Sequence, residues 1–145
     1  MKGNLLIPLY RTARIRHLYL KNRMRQMGLA GSMHMILLRI QESPCCQDEL
    51  GQRVLSDKAA VSRECACLEK MGLIETQADP ADRRKRILCL TGAGERTARE
   101  ISEVNGKISA SLLKDISEED REVFHRVMEM MEDNASELWE ELSAK

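Results

Sequence analysis

The sequence predicts a mainly α-helical fold interrupted once by a small β-hairpin. Three observations predict it. Apolar residues recur at helical spacing over most of the chain. Glycine and proline stop signals at Gly28, Gly31, Pro44 and Gly72 divide that pattern into separate helices. Near residue 80 the period shortens, and two short runs flank an Asp79-Pro80-Ala81-Asp82 turn.

Each element follows from its own residues. Helix one is expected over residues 5–27, on Leu6, Leu9, Tyr10, Ala13, Leu18, Leu20, Met24 and Met27. Pro8 is tolerable only in its first turn, where the missing N–H leaves no bond unmade. Ser32 is expected to cap a second helix, Met33 to Gln41, which Ser43-Pro44 ends. A short third helix runs from about Gln47 to Val54. A tight Leu55-Ser56-Asp57 turn leads to a fourth, from about Lys58 to Met71, with Gly72 just past its end. In that fourth helix Val61, Cys65 and Leu68 share one face. Leu73 to Ala78 and Arg86 to Leu90 read as the paired strands. Thr91 caps a fifth helix reaching about Leu113, and Ser117 with an acidic first turn opens a sixth. The sixth carries a seam of Phe124, Val127, Met128, Met131, Ala135, Leu138 and Leu142.

The 145 residues are 43% hydrophobic and 32% charged, enough for one domain with a real core. Only 3% are aromatic, which argues against stacking platforms for single-stranded nucleic acid. No run of about 18 apolar residues occurs, so no membrane span is expected. The apolar stretch near the N-terminus is too short for a signal peptide, and five cysteines form no secreted disulfide pattern; the expected compartment is the cytoplasm. Net charge is zero, yet it is unevenly placed. Residues 1–41 hold eight Lys and Arg with no Asp or Glu, whereas residues 117–145 hold three basic and ten acidic residues. Arg83-Arg84-Lys85-Arg86 adds a second basic cluster at the tip of the expected hairpin.

Helix-turn-helix followed by a hairpin is the winged-helix order. A helix fits the major groove of a duplex and reads base edges with its N-terminal side chains. Ser56, Asp57, Lys58, Ala59, Ser62 and Arg63 occupy that end. Lys58 and Arg63 bring charge, Ser62 a short hydrogen bond, and Ala59 room for close approach. Asp82, Arg83, Arg84, Lys85 and Arg86 form the wing tip, with guanidinium groups suited to phosphates and the minor groove.

The stretches Leu55 to Arg63, Leu68 to Ile74, Asp79 to Arg84 and Leu88 to Gly94 carry a wider resemblance. With them the sequence resembles the MarR family, the multiple-antibiotic-resistance-type regulators. The Asp-Pro-x-Asp-Arg-Arg wing followed by Leu-x-Leu-Thr is the most specific part. The resemblance implies a single MarR-type domain over residues 1–145, with residues 32–91 as the winged lobe and 1–31 and 92–145 as dimerisation helices. It implies a homodimeric, effector-responsive repressor that binds a palindromic double-stranded operator. It also implies that Arg84 enters the minor groove and that Asp82 orients it. Cys67 departs from a usually basic or polar position, and Thr76 from one where an arginine often follows the glutamate. In the family, small aromatic or lipophilic effectors bind between the dimer helices and the lobe. Leu18, Met27, Met33, His34, Met35 and Ile36 lie in that region of the sequence.

Cys65 is expected to pack in the core, and Cys89 to be partly exposed. Cys45, Cys46 and Cys67 are the candidates for thiol redox chemistry, because a helix N-terminus or an exposed position raises thiol reactivity. His17, His34 and His125 form no His-x₃-His pair, so no metal site is expected. No Ser/His/Asp grouping, HExxH or paired-carboxylate pocket is evident, so neither an enzyme nor a cofactor is expected. Two alternatives stand beside the DNA-binding regulator: a winged helix turned to protein interaction, and a regulator that senses oxidants through cysteine.

Overall fold

The computed structural model describes residue 4 and residues 6–144. The order is α1 (Leu6–Gln26), α2 (Met33–Glu42), α3 (Gln47–Arg53), α4 (Lys58–Lys70), β1 (Ile74–Ala78), β2 (Arg86–Leu90), α5 (Gly92–Leu112) and α6 (Glu118–Ser143). Leu5, where the first helix was expected to begin, lies outside the described residues. The chain divides into two compact units, the first ending at Ile108 and the second beginning at Ser109. No helix among the described residues is long and apolar enough to cross a membrane.

The core of the first unit comes from every helix up to α5 and from both strands. Leu20 and Met24 of α1 meet Ile36, Leu37 and Ile40 of α2, Leu50 of α3, Leu68 of α4 and Ile101 of α5. With so few aromatics, burial of branched aliphatics does the work, at about 1.5–3 kcal/mol for each large side chain fully removed from water. The expected face of α1 is only partly used this way. Leu20 and Met24 are buried, whereas Leu6, Tyr10 and Leu18 stay exposed.

One expected cap is replaced by a longer connection. Ser32 does precede α2, but its side chain makes no cap bond there. Its hydroxyl donates instead to the Glu64 carboxylate of α4, at 2.5 Å. The chain between α3 and α4 turns through Leu55, which holds a left-handed φ of +51° without being glycine. Asp57 then caps α4, its carboxylate accepting from the Ala60 N–H at 2.8 Å. At the other end Gly72 has φ +73°, and the N–H groups of Gly72 and Leu73 reach the carbonyls of Glu69 and Leu68. That double bond pattern is the left-handed helix stop that glycine favours.

The hairpin pairs Ile74 with Leu90 and Ala78 with Arg86 in antiparallel register. Leu88 also receives a bridge from Cys45, whose carbonyl accepts the Leu88 N–H at 2.9 Å. This ties the hairpin base to the loop before α3. Thr91 caps α5 through the Gly94 N–H, 3.0 Å away. A Cβ on Gly94 would lie 1.9 Å from the Leu73 carbonyl oxygen, so only glycine permits α5 to start this close to β1.

In the second unit Ser117 caps α6, its hydroxyl accepting from the Asp120 N–H. The Arg121 guanidinium donates to the Leu113 and Ile116 carbonyls, at 2.9 and 3.0 Å, satisfying groups left open beyond the end of α5. No residue of α6 is buried, although Phe124, Val127, Leu138 and Leu142 form an apolar stripe along it.

Candidate nucleic-acid interface

Helix α4 turns its two faces to opposite tasks. Val61, Cys65 and Leu68 are buried in the core, which sets the rotation of the helix about its axis. That rotation leaves Asp57, Lys58, Ala59, Ser62 and Arg63 exposed, with Ser56 half-buried at the turn. The Asp57 carboxylate is committed to capping. The Lys58 ammonium lies 3.5 Å from Asp48, both side chains being over four-fifths exposed. Such a solvated pair contributes about 0–1 kcal/mol, so Lys58 can exchange this partner for a phosphate at little cost.

The wing tip is built by aspartates acting on the backbone. Asp79 accepts from the Ala81 N–H at 2.9 Å, and Asp82 accepts from the Arg84 N–H at 3.1 Å. The Lys85 N–H donates to the Asp82 carbonyl and the Asp79 N–H to the Lys85 carbonyl, closing the turn. Asp82 therefore bonds the main chain of Arg84, and its carboxylate is not paired with the guanidinium. Arg83, Arg84, Lys85 and Arg86 are all exposed. Arg86 reaches back across the hairpin to the Thr76 carbonyl at 3.4 Å. Among the described residues, no carboxylate lies within ion-pair distance of Arg83, Arg84 or Lys85. Three unpaired cations therefore sit on a turn braced by Asp79 and Asp82, an arrangement chemically suited to phosphate.

Thr76, one of the two unusual positions, bonds the Glu69 carboxylate with its hydroxyl and so joins β1 to α4. Cys67, the other, is exposed on α4. The remaining thiols separate by environment. Cys65 is buried, and burial, followed by Glu69 and Glu64, pushes its thiol up to about 11. Cys45, which position alone placed among the reactive thiols, is buried under the hairpin base, and burial raises its thiol too. Both effects disfavour the thiolate, the form that reacts. Cys46 is half-buried at the start of α3 and makes no side-chain cap bond. Cys89 is half-buried, its thiol raised by burial and then by Glu75.

The residues expected around an effector do not form one set. Ile36 and Met33 belong to the core, at 0% and 7% exposure, while Leu18 and Met35 face solvent. His34 and Met27 are half-buried. Met35 instead lines a shallow cleft of about 260 Å³ with Leu38, Arg39, Glu42, Arg53 and Val54. Met33 to Ile36 fall on α2, whereas Leu18 lies on α1 and Met27 just past it, and periodicity cannot say which face a neighbour covers. Sequence reading also passed over Glu64, whose partner Ser32 lies 32 positions away and leaves no local mark.

The comparisons with known proteins agree with this architecture. A family profile described as MarR family matches residues 27–85, from the end of α1 through the wing tip. The crystal structure of MarR is 28% identical, with a TM-score of 0.76 over 95% of this chain and 96% of that one. Residues 27–85 thus resemble the MarR family. Its curated relatives include the transcriptional regulator HosA of Escherichia coli O111:H-, 29% identical over 85 residues. That match covers 59% of this chain and 63% of HosA, so less than two thirds of the relative's length is spanned. A MarR-family protein from Listeria monocytogenes, solved in complex with a 26mer DNA, shares the fold with a TM-score of 0.84. It is 23% identical and is covered to 93%, against 96% of this chain. In the winged-helix order shared with these structures, α3 and α4 correspond to the helix-turn-helix and β1–β2 to the wing.

Proposed function

We propose that this chain is a transcription regulator that binds double-stranded DNA as a homodimer. One observation carries the reading. Lys58 and Arg63 on the outward face of α4 and Arg83, Arg84 and Lys85 at the tip of the wing are all solvent-exposed cations, while the opposite face of α4 is committed to the core. On this reading Ser62 and Arg63 reach base edges, and Arg83, Arg84 and Lys85 reach phosphates and the minor groove. That a Listeria monocytogenes protein of the same fold was solved in complex with a 26mer DNA supports a DNA-binding reading.

The apolar residues of α1 and α6 support the homodimer. Leu6, Tyr10, Ile15 and Tyr19, with Phe124, Val127, Leu138 and Leu142, are all exposed in a single chain. Covering such stripes with a second copy is the simplest way to remove them from water. Residues 1–31 and 92–145 are then the dimerisation helices, and residues 32–91 the reading lobe. The basic N-terminal and acidic C-terminal segments complement one another, though exposed ion pairs contribute only about 0–1 kcal/mol each. The regulator is a repressor whose lipophilic or aromatic effector changes the spacing of the two reading helices. A small change in spacing weakens simultaneous engagement of both half-sites.

Fluorescence anisotropy with a duplex covering the protein's own upstream region tests the reading. Binding that exceeds binding to a shuffled duplex, and that weakens steeply with salt, is expected. Equal binding to both duplexes, or none, would overturn it.

A further inference from the structure

We infer that Glu64 is a positioning residue that aims the DNA-reading helix by anchoring it to the start of α2; the inference rests on the DNA-binding reading above. Glu64 follows Arg63 on α4 and precedes the core residue Cys65. Its carboxylate accepts the Ser32 N–H with both oxygens, at 3.1 Å each, and the Ser32 hydroxyl at 2.5 Å. A carboxylate from α4 thus takes the part that a local N3 glutamate plays in a capping box, accepting the N–H of the N-cap residue itself. It also places a negative charge at the positive end of that helix.

A second, independent feature is shaped for the same contact. Gly31 holds φ +55°, and a Cβ built there would lie 2.0 Å from Glu64 Oε1. The turn before α2 therefore has a gap that the Glu64 carboxylate fills. At the far end of α4, Glu69 is bound by Thr76 of β1. One carboxylate ties α4 towards α2, and another ties it towards the wing. Apolar contacts fix the rotation of α4 about its axis but resist sliding along it poorly, because they are not directional. A charge-assisted hydrogen bond with three contacts resists both.

Simple electrostatics and positioning predict opposite signs when the carboxylate is removed. Deleting a negative charge beside a DNA-facing helix strengthens binding to any duplex. Losing an anchor weakens binding to the operator alone. The experiment measures wild type, Glu64→Gln, Glu64→Ala, Ser32→Ala and the Ser32→Ala/Glu64→Ala double variant. Each is titrated against an operator selected by the wild-type protein from a random duplex library, and against a mixed-sequence duplex. Circular dichroism and thermal melting confirm that each is folded at the assay temperature.

Glu64→Ala is expected to lose operator affinity about five- to tenfold, while mixed-sequence affinity stays level or rises. Glu64→Gln, which keeps one acceptor, recovers part of the loss. Ser32→Ala reproduces a share of it, and the double variant falls no further than Glu64→Ala, because both changes break one contact. Operator affinity unchanged or raised in folded Glu64→Ala would overturn the inference alone. Losses that simply add in the double variant would also overturn it. Wild-type protein that selects no operator would overturn the DNA-binding reading and this inference together.

Discussion

Helices α4 and α6 carry similar amphipathic patterns, yet only one of them completes its core within the chain. In α4, Val61, Cys65 and Leu68 are buried and the polar face is left for other work. In α6, no residue is buried, and Leu138 and Leu142 remain 63% and 69% exposed. An apolar stripe in sequence states that a face must be covered, but not by what. On α4 the cover is α2, α3 and the hairpin; on α6 the proposed cover is a second copy of the chain.

The largest test of this contrast is a pair of truncations. Leu68→Ala should destabilise the fold by about 2–5 kcal/mol, seen as a lower denaturant midpoint that does not depend on protein concentration. Leu138→Ala should leave the same midpoint nearly unchanged at high dilution. Next comes Leu138→Asp, which buries a charge in the proposed dimer interface. Sedimentation should show at least tenfold weaker self-association with an unaltered helical spectrum.

On the outward face of α4, Arg63→Ala should leave stability within about 0.5 kcal/mol of wild type. It should weaken operator binding about tenfold and flatten the salt dependence by about one to two units of slope across the dimer. If it unfolded the protein instead, the division of labour on α4 would be wrong.

Much of this architecture was legible in sequence because local chemistry decided it. Gly72, Asp57, Ser117 and Thr91 mark helix ends that the structure places within a residue or two of expectation. The wing was legible because Asp-Pro-x-Asp can hydrogen-bond its own backbone, as Asp79 and Asp82 do. The rest depended on partners far along the chain. Ser32 looked like a local cap, yet its hydroxyl is drawn to Glu64. Ile36 and Met33 looked able to line a pocket, yet neighbouring helices cover them. Cys45 looked like a reactive thiol at a helix start, yet the hairpin base buries it.

Two smaller effects sharpen the picture of the reading lobe. Leu55→Gly should stabilise it by about 0.5–1 kcal/mol in chemical denaturation, by relieving the left-handed strain at that turn. Burial, followed by Arg16 and His17, lowers the pKa of His34, whereas Glu64 opposes that shift. A histidine whose folded pKa lies below its unfolded value contributes fully above about pH 6.5 and loses that contribution as pH falls further. Stability should therefore decline slightly as pH falls below about 6.5, and His34→Gln should flatten that decline.

Hydroxyl-radical footprinting on the selected operator reads the central claim most directly. Two protected tracts separated by about one helical turn are expected, flanked by minor-groove protection that Arg84→Ala removes while the central protection persists. A single unpaired tract, or flanking protection that survives in Arg84→Ala, would contradict it.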